Sequence, residues 1–115
     1  MAIKRHEPGP RMTQAVEHGN TVYLAGLVAD DTAQDVKGQT RQILAKIDRL
    51  LAMAGSDKSK LLSANIWLTD IGTWAQMNEA WDAWVSPGNA PARATVEAKL
   101  AGPAYKVEIM VQAGK

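Results

Sequence analysis

Alternation of hydrophobic and polar residues predicts five β-strands along the chain. The first two are expected at residues 13–17 and 22–29, joined by a short turn at HGN. A third strand is predicted in the stretch LLSANIWLTDI, whose core-facing residues are Leu62, Ala64, Ile66 and Leu68. The last two strands are expected at residues 93–100 and 106–112.

Two further stretches have the periodicity of amphipathic helices. The first lies between the second and third strands, and its apolar stripe comprises Ile43, Ile47, Leu50, Leu51 and Ala54. Thr32 and Asp35 resemble a capping arrangement before this stripe, and Gly55 is expected to end the helix. The second helix is predicted in GTWAQMNEAWDAWV, with a core-facing row of Trp74, Met77, Trp81 and Trp84.

The C-terminal stretch NAPARATVEAKLAGPAYKVEIMVQA is predicted to form a two-stranded hairpin that turns near Gly102 and Pro103. Its core-facing residues are expected to be Ala94, Val96, Ala98, Leu100, Val107, Ile109 and Val111. On the opposite face, Thr95 should lie opposite or nearly opposite Glu108. Arg93 and Glu108 then become diagonal neighbours, roughly 7–8 Å apart at the backbone.

Two helices of about 15 to 20 residues can cover only one face of the predicted sheet. The other face of the third strand is neither plainly solvated nor plainly core, since it carries Ser63, Asn65, Trp67 and Thr69. Burial against other copies of the chain accounts for such a face most simply, so we expect an oligomer. The length of 115 residues suits one α+β domain over residues 1–115, with a mixed sheet and both helices on one face.

Composition excludes several classes of protein. The formal net charge is +1, from 13 basic and 12 acidic residues without a Lys/Arg run, so no nucleic-acid or membrane partner is expected. The chain has no cysteine, which excludes disulfides and cysteine-ligated metals. The two histidines lack metal-ligand spacing, and no signal peptide or membrane span is predicted. We therefore expect a cytoplasmic protein without a metal site.

The candidate chemistry centres on Arg93 and Glu108. An exposed cross-strand ion pair is the simplest interpretation and contributes about 0–1 kcal/mol. If the face is buried between copies, the arginine instead needs an acidic ligand, because an unpaired buried charge is strongly destabilising. A guanidinium in a partly closed cleft binds a small carboxylate well, and a neighbouring carboxylate can hold a water beside it.

The chain resembles the Rid family, also called YjgF/YER057c/UK114, whose members are related to 2-iminobutanoate/2-iminopropanoate deaminase. The resemblance rests on PARATVEAKL followed by YKVEIMVQA, with support from GPRMTQAV, HGNTVYLAG and GNAPAR. It implies a fold similar to that of chorismate mutase of the Bacillus type. It also implies a homotrimer with an inner β-barrel, outer helices and three clefts between subunits.

The resemblance further implies hydrolysis of enamines and imines of the 2-aminoacrylate type to 2-keto acids and ammonia, without metal or organic cofactor. Arg93 occupies the family's arginine position and would clamp the carboxylate of this small imino or keto acid. Glu108, together with a backbone carbonyl near Thr95, would orient the attacking water. The cleft would be lined further by Asn89, Gly26 and Leu27.

The sequence departs from the best-characterised deaminases of the family at two places. Arg11 and Met12 stand where a tyrosine follows the N-terminal GP, and Ala25 replaces a serine. Arg11 joins the predicted binding residues, because its charge favours a more acidic or longer substrate. The lost polar groups keep open a second hypothesis, a trimer that binds small carboxylates without turnover. A ribonuclease or translation inhibitor is disfavoured, since the chain lacks a basic cluster and a histidine pair.

Overall fold

The computed structural model describes residues 2–115, which form six strands and two helices. The strands are β1 (Ile3–Pro8), β2 (Thr13–His18), β3 (Thr21–Leu24), β4 (Leu61–Leu68), β5 (Ala92–Glu97) and β6 (Val107–Gly114). The helices are α1 (Val36–Met53) and α2 (Trp74–Trp84), and short 3₁₀ turns span Lys58–Lys60 and Ile71–Thr73. Both helices pack on the same face of one mixed sheet, which confirms the predicted fold class.

The strands are ordered β1-β2-β3-β6-β4-β5 across the sheet. All neighbouring pairs are antiparallel except β4 and β5, which are parallel and connected through α2. Parallel strands need such a crossover connection. The predicted hairpin between β5 and β6 is therefore wrong, because β4 lies between these two strands and pairs with both.

The N-terminal strands differ from the prediction mainly in extent. β1 is absent from the predicted elements, because its side chains are mostly exposed at the sheet edge and show no hydrophobic alternation. β2 is confirmed, whereas β3 ends at Leu24, and Leu27 instead forms an isolated antiparallel bridge with Ile109. The predicted turn is also confirmed, with Gly19 at a φ of 60° that glycine adopts readily.

Helix α1 begins directly after Asp35, whose side chain accepts a hydrogen bond of 2.8 Å from the Gly38 N–H. Asp35 is thus the N-cap, three residues beyond the predicted capping position at Thr32. Gly55 adopts a φ of 77° just after the C-cap Ala54, which confirms the predicted stop. The predicted apolar stripe is buried in full.

Helix α2 buries only part of the predicted tryptophan row. Met77 and Trp81 lie in the core, and Trp84 packs against it while half-buried. Trp74 is 50% exposed, so its assignment to the core is wrong. As the first residue of α2, it lies beyond the turns that pack on the core. Among the residues described, neither helix is long and apolar enough to cross a membrane.

Strand β4 contains an irregularity between Leu61 and Ser63. Leu61 is buried whereas Leu62 is 53% exposed, so the prediction for Leu62 is wrong. An extra residue in a strand shifts the alternation of its side chains, which explains this inversion. Beyond the bulge the prediction is confirmed, and the core-facing residues are Ala64, Ile66 and Leu68.

The sheet face opposite the helices carries mostly polar and aromatic side chains. This open face comprises half-buried residues of β4 and β6, namely Ser63, Asn65, Trp67, Glu108, Met110 and Gln112. Thr69 lies outside β4 and is exposed. The prediction that the helices leave this face of the sheet uncovered is confirmed.

Candidate functional site

Arg93 lies on the helix-facing side of β5, the outermost strand of the sheet. Its Nη1 donates a hydrogen bond of 2.7 Å to Oδ1 of Asn78, and its Cζ lies 5.3 Å from the ring centroid of Trp81. Partial burial lowers the pKa of Arg93, and the charge of nearby Asp82 opposes this shift. The guanidinium nevertheless stays protonated at neutral pH, as arginine does in proteins.

The Arg93 guanidinium retains most of its hydrogen-bonding capacity. Arginine carries five N–H donors, and within residues 2–115 Asn78 is the only acceptor bonded to this one. The edge formed by Nε and Nη2 has no partner in that part of the chain. Two parallel N–H groups along such an edge match the two oxygens of a carboxylate. Arg93 is therefore available to bind a small organic acid.

The outer edge of β5 adds further polar groups beside Arg93. The hydroxyl oxygen of Thr95, two residues along on the same side, is buried without a hydrogen-bond partner in the described chain. The N–H of Ala98 bonds to the Leu68 carbonyl at 2.9 Å, so the backbone groups of residues 93, 95 and 97 point away from β4. The edge thus presents free N–H and C=O groups.

Asn89 lies in the exposed loop between α2 and β5. Its side-chain amide donates hydrogen bonds to the Ser86 hydroxyl at 3.1 Å and to the Pro87 carbonyl at 3.3 Å. These contacts shape the loop immediately before Arg93. The Asn89 amide oxygen makes no hydrogen bond to residues 2–115, so it remains open to a ligand.

Glu108 lies on the open face, where its carboxylate packs against Gly26. A Cβ atom at position 26 would overlap Oε2 of Glu108, so only glycine leaves room for this arrangement. The carboxylate makes no ion pair with any residue that the structure describes. It is therefore free to hold a water molecule and accept its proton.

Leu27 fixes the segment that carries Gly26. The Leu27 N–H and C=O both bond to the Ile109 backbone, at 2.9 and 3.1 Å, and the Leu27 side chain is buried in the core. Leu27 thus holds Gly26 against Glu108 and offers no free polar group of its own.

Arg11 is exposed in the turn between β1 and β2. The Ala25 N–H bonds to the Gln14 carbonyl at 2.9 Å, so this turn and Gly26 lie at the same end of the sheet. The positive charge of Arg11 therefore belongs to the end of the sheet that carries Glu108.

Arg93 and Glu108 do not meet within one chain. Arg93 aligns with Ala64 of β4, and Ala64 aligns with Val111 of β6, three residues from Glu108. Standard strand dimensions then separate the two backbones by about 10 Å across the strands and about 10 Å along them. The side chains also project from opposite faces of the sheet. The prediction that they are diagonal neighbours on one face is wrong.

The orientation of β5 is the reverse of the predicted one. Arg93 and Thr95 face α2, whereas Ala94 and Val96 face the open side, where Val96 is 49% exposed. The prediction took the apolar residues of β5 as core, but this edge strand lies beside α2 with its polar residues inward. In β6 the predicted core residues are confirmed, namely Val107, Ile109 and Val111.

The predicted site residues therefore divide into two groups. The first, the Arg93 cluster, lies at the outer edge of β5 and comprises Arg93, Thr95 and Asn89. The second, the Glu108 cluster, lies at the open face and the adjacent turn, and comprises Glu108, Gly26, Leu27 and Arg11. Because the sheet separates the two groups, one small ligand can touch both only where two copies of the chain meet.

Two residues in contact with Arg93 are missing from the predicted site. Trp81 is in the core as predicted, but its ring also stacks against the guanidinium. Asn78 carries a detectable signal in the sequence, since this polar residue lies one turn after Trp74 and three residues before Trp81, on the apolar face of α2. A polar side chain at such a position needs a hydrogen-bond partner.

Comparisons with known proteins agree along nearly the whole chain. The family model described as Endoribonuclease L-PSP matches residues 3–115. A RutC family protein of Haemophilus influenzae is 47% identical over 96% of this chain and 97% of its own length. The RutC family protein YoaB of Escherichia coli is 46% identical over 98% of each chain.

Solved structures show the same fold. A member of the YjgF protein family from Neisseria meningitidis has a TM-score of 0.97 at 45% identity, covering 100% of this chain and 96% of that one. A Mycobacterium tuberculosis member of the YjgF/YER057c/UK114 family has a TM-score of 0.90 at 26% identity, covering 99% of this chain and 100% of that one.

Proposed function

Because the chain belongs to the YjgF/YER057c/UK114 family, we propose that it hydrolyses enamines and imines of the 2-aminoacrylate type to 2-keto acids and ammonia. The sites lie between copies of a homotrimer, where the Arg93 cluster of one copy faces the Glu108 cluster of the next. No metal or organic cofactor takes part. The substrate is a small imino acid with a free carboxylate.

The free Nε–Nη2 edge of Arg93 carries this proposal. A substrate carboxylate bound there through two parallel hydrogen bonds is held in one orientation, which fixes the imine carbon relative to the β5 edge. The charge of the guanidinium compensates the charge of the carboxylate as both lose water. Asn89, at the start of the same edge, contributes a further polar contact through its amide oxygen.

Glu108 supplies the proton transfer. Together with the outward-pointing carbonyl of Thr95, it orients a water molecule that attacks the imine carbon and loses a proton to the carboxylate. Glu108 returns this proton to the nitrogen, which gives a carbinolamine. The hydroxyl proton of the carbinolamine then passes through Glu108 to the same nitrogen as the carbon–nitrogen bond breaks, so the products are a 2-keto acid and ammonia. The absence of a charged partner for Glu108 within residues 2–115 supports this role.

Two features of the surface support association of copies. The open face is half-buried and carries Trp67 beside Glu108 in the sheet register. At its margin, β5 offers an unpaired edge with the exposed apolar side chain of Val96. An unpaired strand edge and a half-buried face that includes a tryptophan favour contact with another copy.

A coupled assay that generates 2-aminoacrylate in solution tests the proposed activity. The protein should accelerate pyruvate formation over buffer, and Arg93→Ala should lower kcat/KM by at least roughly 100-fold through loss of both charge-assisted bonds. Arg41→Ala, which removes an exposed arginine of α1, is the matched control and should behave as the wild type. A wild-type rate equal to that of buffer would refute the proposal.

A second candidate function is binding of small carboxylates without turnover. The observation that favours it concerns two residues beside the Glu108 cluster, since Met12 and Ala25 supply no hydroxyl near Gly26. Calorimetric binding of pyruvate or 2-oxobutanoate, combined with a silent deaminase assay, would select this function over hydrolysis.

A further inference from the structure

We infer that Asn78 is a positioning residue, which holds the Arg93 guanidinium in the one orientation that directs its free edge at the substrate. This inference rests on the proposed function, because it concerns the carboxylate clamp of the same site. Asn78 itself touches neither the substrate nor the attacking water. It acts through its hydrogen bond of 2.7 Å to Nη1 of Arg93.

The geometry around Arg93 restrains the guanidinium in two directions. Asn78 anchors Nη1 from one end, and the ring of Trp81 restrains the planar group at a distance of 5.3 Å, within the range of cation–π contacts. Trp81 is 4% exposed and packs against Trp84, with ring centroids 5.5 Å apart. The Trp84 indole N–H in turn donates to Asp48 of α1 at 3.0 Å.

These restraints leave one bidentate edge with all of its donors free. An arginine can present a carboxylate with the edge formed by Nη1 and Nη2 or with the edge formed by Nε and Nη2. Asn78 already accepts a hydrogen bond from Nη1, so the Nε–Nη2 edge is the one on which neither nitrogen is engaged. A long, flexible side chain fixed in this way before the ligand arrives loses less conformational entropy on binding.

The neutral amide of Asn78 suits this task better than a carboxylate. An aspartate would accept the same hydrogen bond, but its negative charge would compensate the guanidinium and compete with an anionic ligand. An asparagine fixes the orientation and leaves the full positive charge for the substrate. The identity of residue 78 therefore separates positioning of Arg93 from simple support of the fold.

The test compares Asn78→Ala and Asn78→Asp with Gln76→Ala, an exposed change in the same helix. Calorimetry with pyruvate and the coupled assay should show Kd and KM about ten-fold higher for Asn78→Ala, with kcat changed much less, because the carboxylate is bound equally in the ground and transition states. Asn78→Asp should weaken binding further while its thermal stability stays at or above that of the wild type. Gln76→Ala should match the wild type throughout.

A merely structural residue would give a different result. Asn78→Ala would then lose stability, Asn78→Asp would retain it, and neither change would alter Kd or KM, which would overturn the inference. An independent readout is the ¹⁵N NMR signal of the Arg93 Nε–H group. In Asn78→Ala this signal should sharpen and move towards the random-coil chemical shift, because the guanidinium becomes mobile. An unchanged signal would overturn the inference even if the wild type proved inactive. A wild type that neither binds nor turns over would refute the proposed function alone.

Discussion

Arg93 and Glu108 project from opposite faces of the sheet, in strands that β4 separates. No rotation of either side chain brings them to one small ligand within a single chain. If both act on the same substrate, each site combines the arginine of one copy with the carboxylate of another. This relationship can be tested by mixing two inactive variants.

Complementation is expected between Arg93→Ala and Glu108→Ala. Each variant alone should be inactive, whereas the two refolded together in equal amounts should recover about a quarter of the wild-type rate, because about one interface in four then contains both native residues. The coupled deaminase assay measures this recovery. No activity should be recovered when the double variant Arg93→Ala/Glu108→Ala replaces either partner in the mixture. If the mixture of the two single variants also stays inactive, the two residues do not share an inter-subunit site.

Gly26→Ala should reduce activity without unfolding the protein. The added Cβ would overlap Oε2 of Glu108, so the carboxylate must move from its position. The backbone conformation at Gly26 does not itself require glycine, since its φ is not in the left-handed region. We expect kcat to fall by roughly ten-fold or more, as for displacement of a general base. Steady-state kinetics and thermal unfolding measure the two effects separately.

Gly55→Ala is the matched control for Gly26→Ala. Gly55 has a φ of 77°, and a Cβ added there would have no neighbour within 4 Å, so alanine is strained but touches nothing. It should lower the free energy of unfolding by about 1 kcal/mol and leave kcat unchanged. Equal loss of activity in the two variants would show that Gly26 acts through stability alone.

Gln39→Leu should be strongly destabilising. The fully buried Gln39 amide donates to the carbonyls of Thr32, Gln34 and Ala104 at 3.1–3.2 Å and accepts from the Lys106 N–H at 3.0 Å. Leucine would remove all four hydrogen bonds at a position that solvent does not reach, at roughly 3 kcal/mol in the free energy of unfolding. Urea denaturation measures the loss.

Gln42→Leu provides the comparison for Gln39→Leu within the same helix. Gln42 bonds only to the Asp31 backbone in an exposed loop, at 3.0 and 3.2 Å, where water can replace it. Its substitution should change the free energy of unfolding by less than about 1 kcal/mol. Similar losses for both variants would show that burial of Gln39 is not the cause.

Acid should weaken the contacts that Glu17 makes with His6 and with Lys115, which lie near the two ends of the chain. Hydrogen bonds from Lys115 and then His6 lower the pKa of Glu17 from 4.5 to about 2. The stabilisation is therefore complete above pH 4.5 and is lost as the pH falls towards 2. Urea titrations across this range should show a difference between wild type and Glu17→Gln that shrinks with decreasing pH. Glu79→Gln, which removes an exposed partner of Lys37, should stay close to the wild type throughout.

Much of the fold could be predicted because helices and most strands carry their own periodicity. The stripe of α1, the stop at Gly55 and the alternation in β6 all appear in the structure as predicted. The failures involve edges and irregularities. β1 has no apolar alternation because it is an exposed edge strand. The bulge in β4 turns the Leu62 side chain away from the core, and the local sequence pattern does not predict a bulge there.

The candidate site could be predicted only in part. Arg93 and Glu108 remain the proposed functional pair, but their predicted proximity depended on a hairpin that does not exist. The stretch from β4 through α2 to β5 has the composition of a parallel crossover unit, and that alternative would have separated the pair. Asn78 could be noticed as a polar residue on the apolar face of α2, but its partner could not, since Arg93 lies fifteen residues away in the strand that follows α2.

The sequence by itself determined which residues share a side within each helix and strand, because the periods of 3.6 and 2.0 residues are properties of the local backbone. It also determined that two helices leave one sheet face uncovered. Only the tertiary structure decided which strands are neighbours and which side of β5 faces α2. These depend on the crossover through α2 that connects the two parallel strands, and such long-range contacts leave no mark on the alternation within a six-residue edge strand.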